Sequence, residues 1–160
     1  MTLFETTILQ QANLRATDPV AGAALGRDAI FRMSQAAEDA VLRPNETGTF
    51  EHDVRAALAA RIARLSDDAL LTEHYLAAAG GHAALADPAA DNAAHELDPV
   101  LAFVDKVAHH TRDVAAEDVS SLQAAGVADA DIVRLCELIA FVAYQIRVIA
   151  GLRLMQSTPA

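Results

Sequence analysis

The chain has 160 residues, 53% of them hydrophobic, which is the common size of one domain and supplies enough apolar side chain for one sizeable core. Aromatic residues make up only 4%, Trp is missing and alanine is the commonest residue, a composition that favours close helix packing over a sheet. The formal net charge of -10 is spread along the chain and repels phosphate backbones and anionic lipid, so neither nucleic acid nor a membrane is an expected partner.

Met1 to Gln10 carry Glu5 and no basic region ahead of an apolar run, so no signal peptide is expected there and the expected location is cytoplasmic. Three Asp-Pro steps follow along the chain, Asp18-Pro19, Asp87-Pro88 and Asp98-Pro99. Each offers a capping carboxylate and a residue already fixed for a first helical turn, so each is expected to start a helix. From Pro19, Val20, Ala23, Ala24, Ile30, Phe31 and Met33 recur at helical spacing until Arg43-Pro44 stops the pattern. The loop Pro44 to Thr49 comes next, with Thr47 or Thr49 expected to cap a helix through Val54, Leu58, Ile62 and Leu65. Ser66 is read as the cap of a further helix, Asp67 to Ala79, closed by Gly80-Gly81.

His82 to Leu97 is alanine-rich and weakly patterned and reads as a short helix or an irregular linker. Pro99 to Thr111 is an amphipathic helix, Glu117 to Ala125 a short one ended by Gly126, and Asp129 caps a long final helix to about Gly151. The stretch Ile132 to Leu154 has the length of a membrane span, but Arg134, Glu137, Gln145, Arg147 and Arg153 interrupt it, so a core or subunit-contact helix is expected. The sum is an all-α chain of six or seven helices. Cys136 is the single cysteine, which leaves no CxxC pair, no internal disulfide and no cysteine-rich zinc site.

The order of an apolar helix (LAFVDKVAHHT), a short helix ending in Leu-Gln-Ala-Ala-Gly, an acidic cap and a long apolar helix carrying Arg147 before Gly151-Leu152 resembles the second half of the alkylhydroperoxidase D-like domain. Upstream, Arg55 to Tyr75 is similar to the signature helix and turn of that carboxymuconolactone decarboxylase and alkylhydroperoxidase D-like superfamily. There a glutamate precedes a CxxC pair and a histidine follows one turn later. The resemblance implies an orthogonal helical bundle, with 1–48 as an N-terminal helical extension and 49–160 as the core of a single domain. It also implies a homo-oligomer, whether dimer, trimer or hexamer. Aligned on Leu65-Ser66, the family's glutamate falls at Ala56, its cysteines at Asp68 and Leu71 and its histidine at Tyr75; a shift of one residue brings in His74. Neither aspartate nor leucine can serve as a thiolate nucleophile or resolving thiol, so dithiol peroxidase activity is not expected.

Asp67, Asp68, Glu73 and His74 lie on or near one helix, where spacings of three and four allow carboxylate and imidazole to meet and do acid-base work. The simpler reading makes the aspartates N-terminal helix charges and Glu73 and His74 a solvated face. His109 and His110 end a helix whose dipole favours cationic imidazole. The six histidines show no HxxxH or HxH spacing, so neither a metal nor any other cofactor is expected. Cys136 has apolar neighbours at helical spacing and reads as core. Arg147, on an apolar helix, is expected to need a partner on another helix, another subunit or an anion. Glycine-rich phosphate loops and a GxSxG elbow are absent.

Three functions follow as expectations. The first is a family member with a degenerate redox site that binds a small molecule or a partner. The second is a cofactor-free, decarboxylase-like enzyme using Glu73 with His74 or His109 as acid and base. The third is a non-catalytic subunit of a cysteine-containing relative.

Overall fold

A computed structural model describes residues 1–90 and 96–157, and every regular element among them is helical. The elements are α1 (Thr7–Gln11), α2 (Ala21–Leu25), α3 (Asp28–Leu42), α4 (His52–Leu65), α5 (Ala69–Leu76), α6 (Asp98–His109), α7 (Ala116–Ala124) and α8 (Asp129–Ser157), with 3-10 turns at Leu3–Glu5, Gly80–Ala86 and Thr111–Asp113. The all-α expectation therefore holds.

Helix α4 is the axis of the molecule. Every residue from Val54 to Ala63 is buried, because α3, α5, α6, α8 and the Gly80–Ala86 turn surround it. Alanines at 56, 57, 59, 60 and 63 let those neighbours approach closely while Leu58 and Ile62 fill the remaining space. The first 48 residues add to the same core through Leu3, Ile8, Leu9, Leu14, Phe31 and Leu42.

Several boundaries differ from the sequence expectation, each for a local reason. The single helix expected from Pro19 onward is two, α2 and α3, parted where Arg27 leaves helical geometry at φ -123° and ψ 23°. Asp18 caps neither, since its carboxylate accepts from the Arg15 amide at 2.7 Å and closes a turn. Helix α4 begins after Glu51 without a side-chain cap, and Thr47 and Thr49 are engaged elsewhere. Helix α5 is capped by Asp68, which accepts from the Leu71 amide at 3.1 Å, whereas Ser66 ends α4 and Asp67 turns the chain at φ +57°. Proline at 99 does open α6, and Gly126, at φ +85°, follows the end of α7. Helix α8 runs past Gly151 to Ser157; nothing crowds Gly151, and it sits inside the helix as an exposed residue. The region expected as a short helix or linker opens with the Gly80–Ala86 turn, and its residues 91–95 lie outside the described residues.

Two buried aspartates fasten the periphery to this frame. Asp68 receives Arg153 of α8 at 2.9 and 3.1 Å, and the same guanidinium donates to the Gln11 carbonyl at the end of α1. Asp131, at the start of α8, accepts from the Thr49 amide at 3.0 Å, the Thr49 hydroxyl at 2.7 Å and Arg134 at 2.8 Å. The loop can reach it only because position 48 is glycine, at φ +61°: a Cβ there meets Asp131 Oδ1 at 2.0 Å.

Burial of Asp131 raises its pKa, but the bonds from Thr49 and Arg134 outweigh that and hold it below the ordinary 3.8. A carboxyl with a depressed native pKa stabilises the fold above its unfolded pKa and ceases to do so as pH falls through the native value. Asp131→Asn is therefore expected to be less stable than wild type at pH 7 and to show a shallower loss of stability below pH 4. Urea unfolding across pH 2 to 7 measures both, and parallel curves for the two proteins would exclude this role.

Candidate functional site

A partly enclosed cavity of about 180 Å³, with polar side chains among its lining, lies where α3, α4 and α5 meet. Helix α3 brings Glu38 to it, with Arg43 just beyond the helix end; α4 brings His52 and Ala56; α5 brings His74 and Tyr75. Glu38 faces inward because it shares the buried stripe of Phe31, Ser34, Gln35 and Leu42. Gln35 fixes that stripe by accepting from the Thr7 amide at 2.8 Å.

The Glu38 side chain is only 3% exposed. Tyr75 Oη lies 3.3 Å from Glu38 Oε1, and His74 Nε2 lies 3.7 Å from the same oxygen. The Tyr75 hydroxyl also reaches Gln145 Oε1 of α8, so one proton faces two acceptors. Burial first, and then the Glu38 charge, push the tyrosine pKa far above its ordinary value, which keeps the hydroxyl protonated and donating. Gln145 is fully buried, and its Nε2 has no hydrogen-bond partner among the described residues. His74 is 35% exposed and so links the buried carboxylate to solvent. His52 Nε2 sits 2.9 Å from the Pro44 carbonyl, at the other side of the cavity. Together a buried carboxylate, an imidazole at its edge and a phenol fixed as donor can take up a proton, pass it outward and hold a polar ligand.

The residues singled out from the sequence divide among different places. Ala56 and Tyr75, aligned with the family's glutamate and histidine, line this cavity together with His74. Asp68 and Leu71, at the cysteine positions, do not; Asp68 caps α5 and holds Arg153, while Leu71 is completely buried. Glu73, although next to His74, is exposed and opens onto a shallower depression with Arg64, Asp67 and Thr72. His109 is exposed in a third depression beside Ser66 and Arg147. The structure thus does not bring Glu73, His74 and His109 together.

Arg147 is exposed and donates to the Ala143 carbonyl of its own helix at 2.9 Å, in place of the contact expected with another helix. Cys136 is half-buried against the core, and burial raises its thiol pKa. Among the described residues no group of three His, Cys, Asp or Glu side chains is placed to hold a metal ion.

Sequence reasoning missed Glu38 and Gln145, although a signal was present. Glu38 lies at helical spacing from Phe31 and Leu42, and Gln145 at helical spacing from Leu138, Val142, Ile149 and Leu152, so each is a polar residue on a core stripe. His52 and Arg43 carried no such signal, since they reach the cavity from the ends of their helices.

Fold and site together define an all-α domain with an enclosed carboxylate-imidazole-phenol cavity. Comparison with family models, with curated proteins and with solved structures finds no match.

Tyr75→Phe deletes the hydroxyl that bridges Glu38 and Gln145, leaving both buried groups less satisfied. It is expected to cost about 1–3 kcal/mol of stability, the usual penalty for orphaning buried polar groups. Chemical denaturation of the variant measures this, and a loss below about 0.5 kcal/mol would show that the bridge carries no weight.

Proposed function

We propose that this chain is a cysteine-poor, all-α domain of the alkylhydroperoxidase D-like type that binds a small polar molecule in the Glu38 cavity and exchanges protons with it without a cofactor. The observation that carries the reading is the Glu38 carboxylate, withdrawn from water at 3% exposure and facing an enclosed cavity beside an imidazole and a phenol. A carboxylate withdrawn from water costs stability unless partners compensate, and here the compensation comes from the Tyr75 hydroxyl and the His74 imidazole at 3.7 Å. The family part of the proposal is supported by Ala56, Tyr75 and neighbouring His74 facing one cavity, as the superfamily's active positions are expected to do.

In this reading Glu38 accepts a proton from the bound molecule, His74 relays it to solvent and Tyr75 donates to a ligand oxygen or holds the carboxylate in place. The cavity volume of about 180 Å³ suits a compact carbonyl or carboxylate compound. The acid-base pair is then Glu38 with His74, replacing the pairs built on Glu73 and His109. Reduction of peroxide by a dithiol has no second thiol to complete it.

Deuterium uptake at carbon next to the carbonyl tests the proposal, with small keto acids and lactones, the carboxymuconolactone type included, followed by NMR in heavy water. Wild-type protein is expected to speed exchange of at least one compound. Glu38→Gln should lower that rate by about 10²- to 10⁴-fold, the range for a positioned base, and should remain folded. No compound exchanging faster than in buffer, or an equal rate for Glu38→Gln, would overturn the proton-transfer role; turnover of peroxide with a dithiol would overturn the non-redox reading.

A further inference from the structure

Helix α8 contains an 18-residue window with a mean hydropathy of 1.7, yet only 33% of that window is buried within the chain. One stripe, through Leu135, Leu138, Val142, Gln145, Ile149 and Leu152, packs on the core. The opposite stripe carries Val133, Ala140, Tyr144, Gly151 and Leu154 in one line, since steps of three, four and seven residues return to the same side of a helix. Val133 is 58% exposed, Tyr144 39% and Leu154 68%, so large apolar side chains stand in water along the length of the helix. Tyr144 carries this face onto α3, where its hydroxyl meets Ser34 Oγ at 2.9 Å beside exposed Ile30 and Met33.

Two charges stand on this stripe, Glu137 and Arg147. Both are exposed, and neither forms an ion pair among the described residues; Arg147 bonds to the backbone of its own helix. Their positions are equidistant from Val142 on either side. The same midpoint relates Val133 to Gly151, Ala140 to Tyr144 and Ala130 to Leu154, each time a larger side chain to a small one. A two-fold axis across α8 at Val142 therefore sets Glu137 against Arg147 of an antiparallel second copy, twice over, and seats each large side chain opposite a residue with room for it. Nothing occupies the space where a Cβ at Gly151 would stand.

We propose that α8 pairs with α8 of a second copy of this chain, antiparallel about a two-fold axis at Val142, and that the Glu137 to Arg147 pairs set its register. The self-complementary order of charge and size is what an isologous contact requires. A bilayer suits the face less well, because both charges lie toward its middle and the chain as a whole carries -10.

Sedimentation velocity over a dilution series tests the pairing, using wild type, Glu137→Arg, Arg147→Glu and the double reversal, each checked for folding by circular dichroism. Wild type is expected to sediment as a dimer at micromolar concentration. Each single reversal should weaken association by about tenfold or more, and the double reversal should return to within about threefold of wild type, because only an antiparallel pair restores opposite charges in both contacts. A wild-type monomer throughout, single reversals without effect, or no recovery in the double variant would overturn the proposal. Flotation of monomeric wild type with neutral phosphatidylcholine vesicles would overturn it in favour of a lipid-facing helix.

Discussion

Enclosure of α4 from Val54 to Ala63 is the constraint on which the other elements depend. A helix covered on all sides must be slim, and its run of alanines meets that need; it must also satisfy every polar group it carries inside. Arg55 and Arg61 are both buried and pose the harder problem. Arg55 donates to the carbonyls of Phe50, Thr47 and Val41, gathering the loop between α3 and α4 around itself, and burial pulls its pKa below the ordinary value. Arg61 makes a two-pronged contact with Asp105 of α6 at 2.6 Å on each side and donates to the carbonyls of Leu85 and Asp87. The two guanidiniums thereby fix the irregular segments that propensity leaves undetermined.

The cavity is a consequence of the same packing. Ala56 is small because α4 is enclosed, and the space it leaves is bounded by α3 and α5 instead of being filled. Glu38 is held at that space by the α3 stripe, and α3 is held in turn by the bond from the Thr7 amide to Gln35. Tyr75 and His74 then supply what an isolated buried carboxylate lacks, a donor fixed in its protonated form and an imidazole in contact with solvent. The site is thus made by three helices that meet for packing reasons, and its polar groups sit on the sides of those helices and not on a flexible loop.

Most of the helices could be read from the sequence because their signals are local: proline opening α6, glycine after α7, apolar residues at helical spacing through α3 and α4, and a long apolar run through α8. The break between α2 and α3 was not legible, since no proline marks it. Asp68 displaced Ser66 as the cap of α5 because Asp67 takes a left-handed conformation that shifts the register. Of the site, His74, Tyr75 and Ala56 were found by resemblance. Glu38 and Gln145 were passed over because a polar residue in an amphipathic helix is taken for its solvated side, while Glu73 was favoured for standing next to His74. Adjacent helical residues point about 100° apart, and Glu73 accordingly opens onto a different depression from the cavity that His74 and Tyr75 line.

Helix α8 shows why position on the helix matters more than average hydropathy. Its polar residues are of two kinds. Gln145 lies on the core stripe, where it reaches Tyr75 and joins the cavity's hydrogen bonds. Glu137 and Arg147 lie on the outer stripe, without an ion pair among the described residues, beside apolar side chains that water should not favour. An average over the helix treats all three as equal interruptions and makes α8 resemble a membrane span. Resolved by side, the inner polar residue answers to the fold and its cavity, whereas the outer two form no ion pair among the described residues, and a surface with the same charges in reverse order meets both at once.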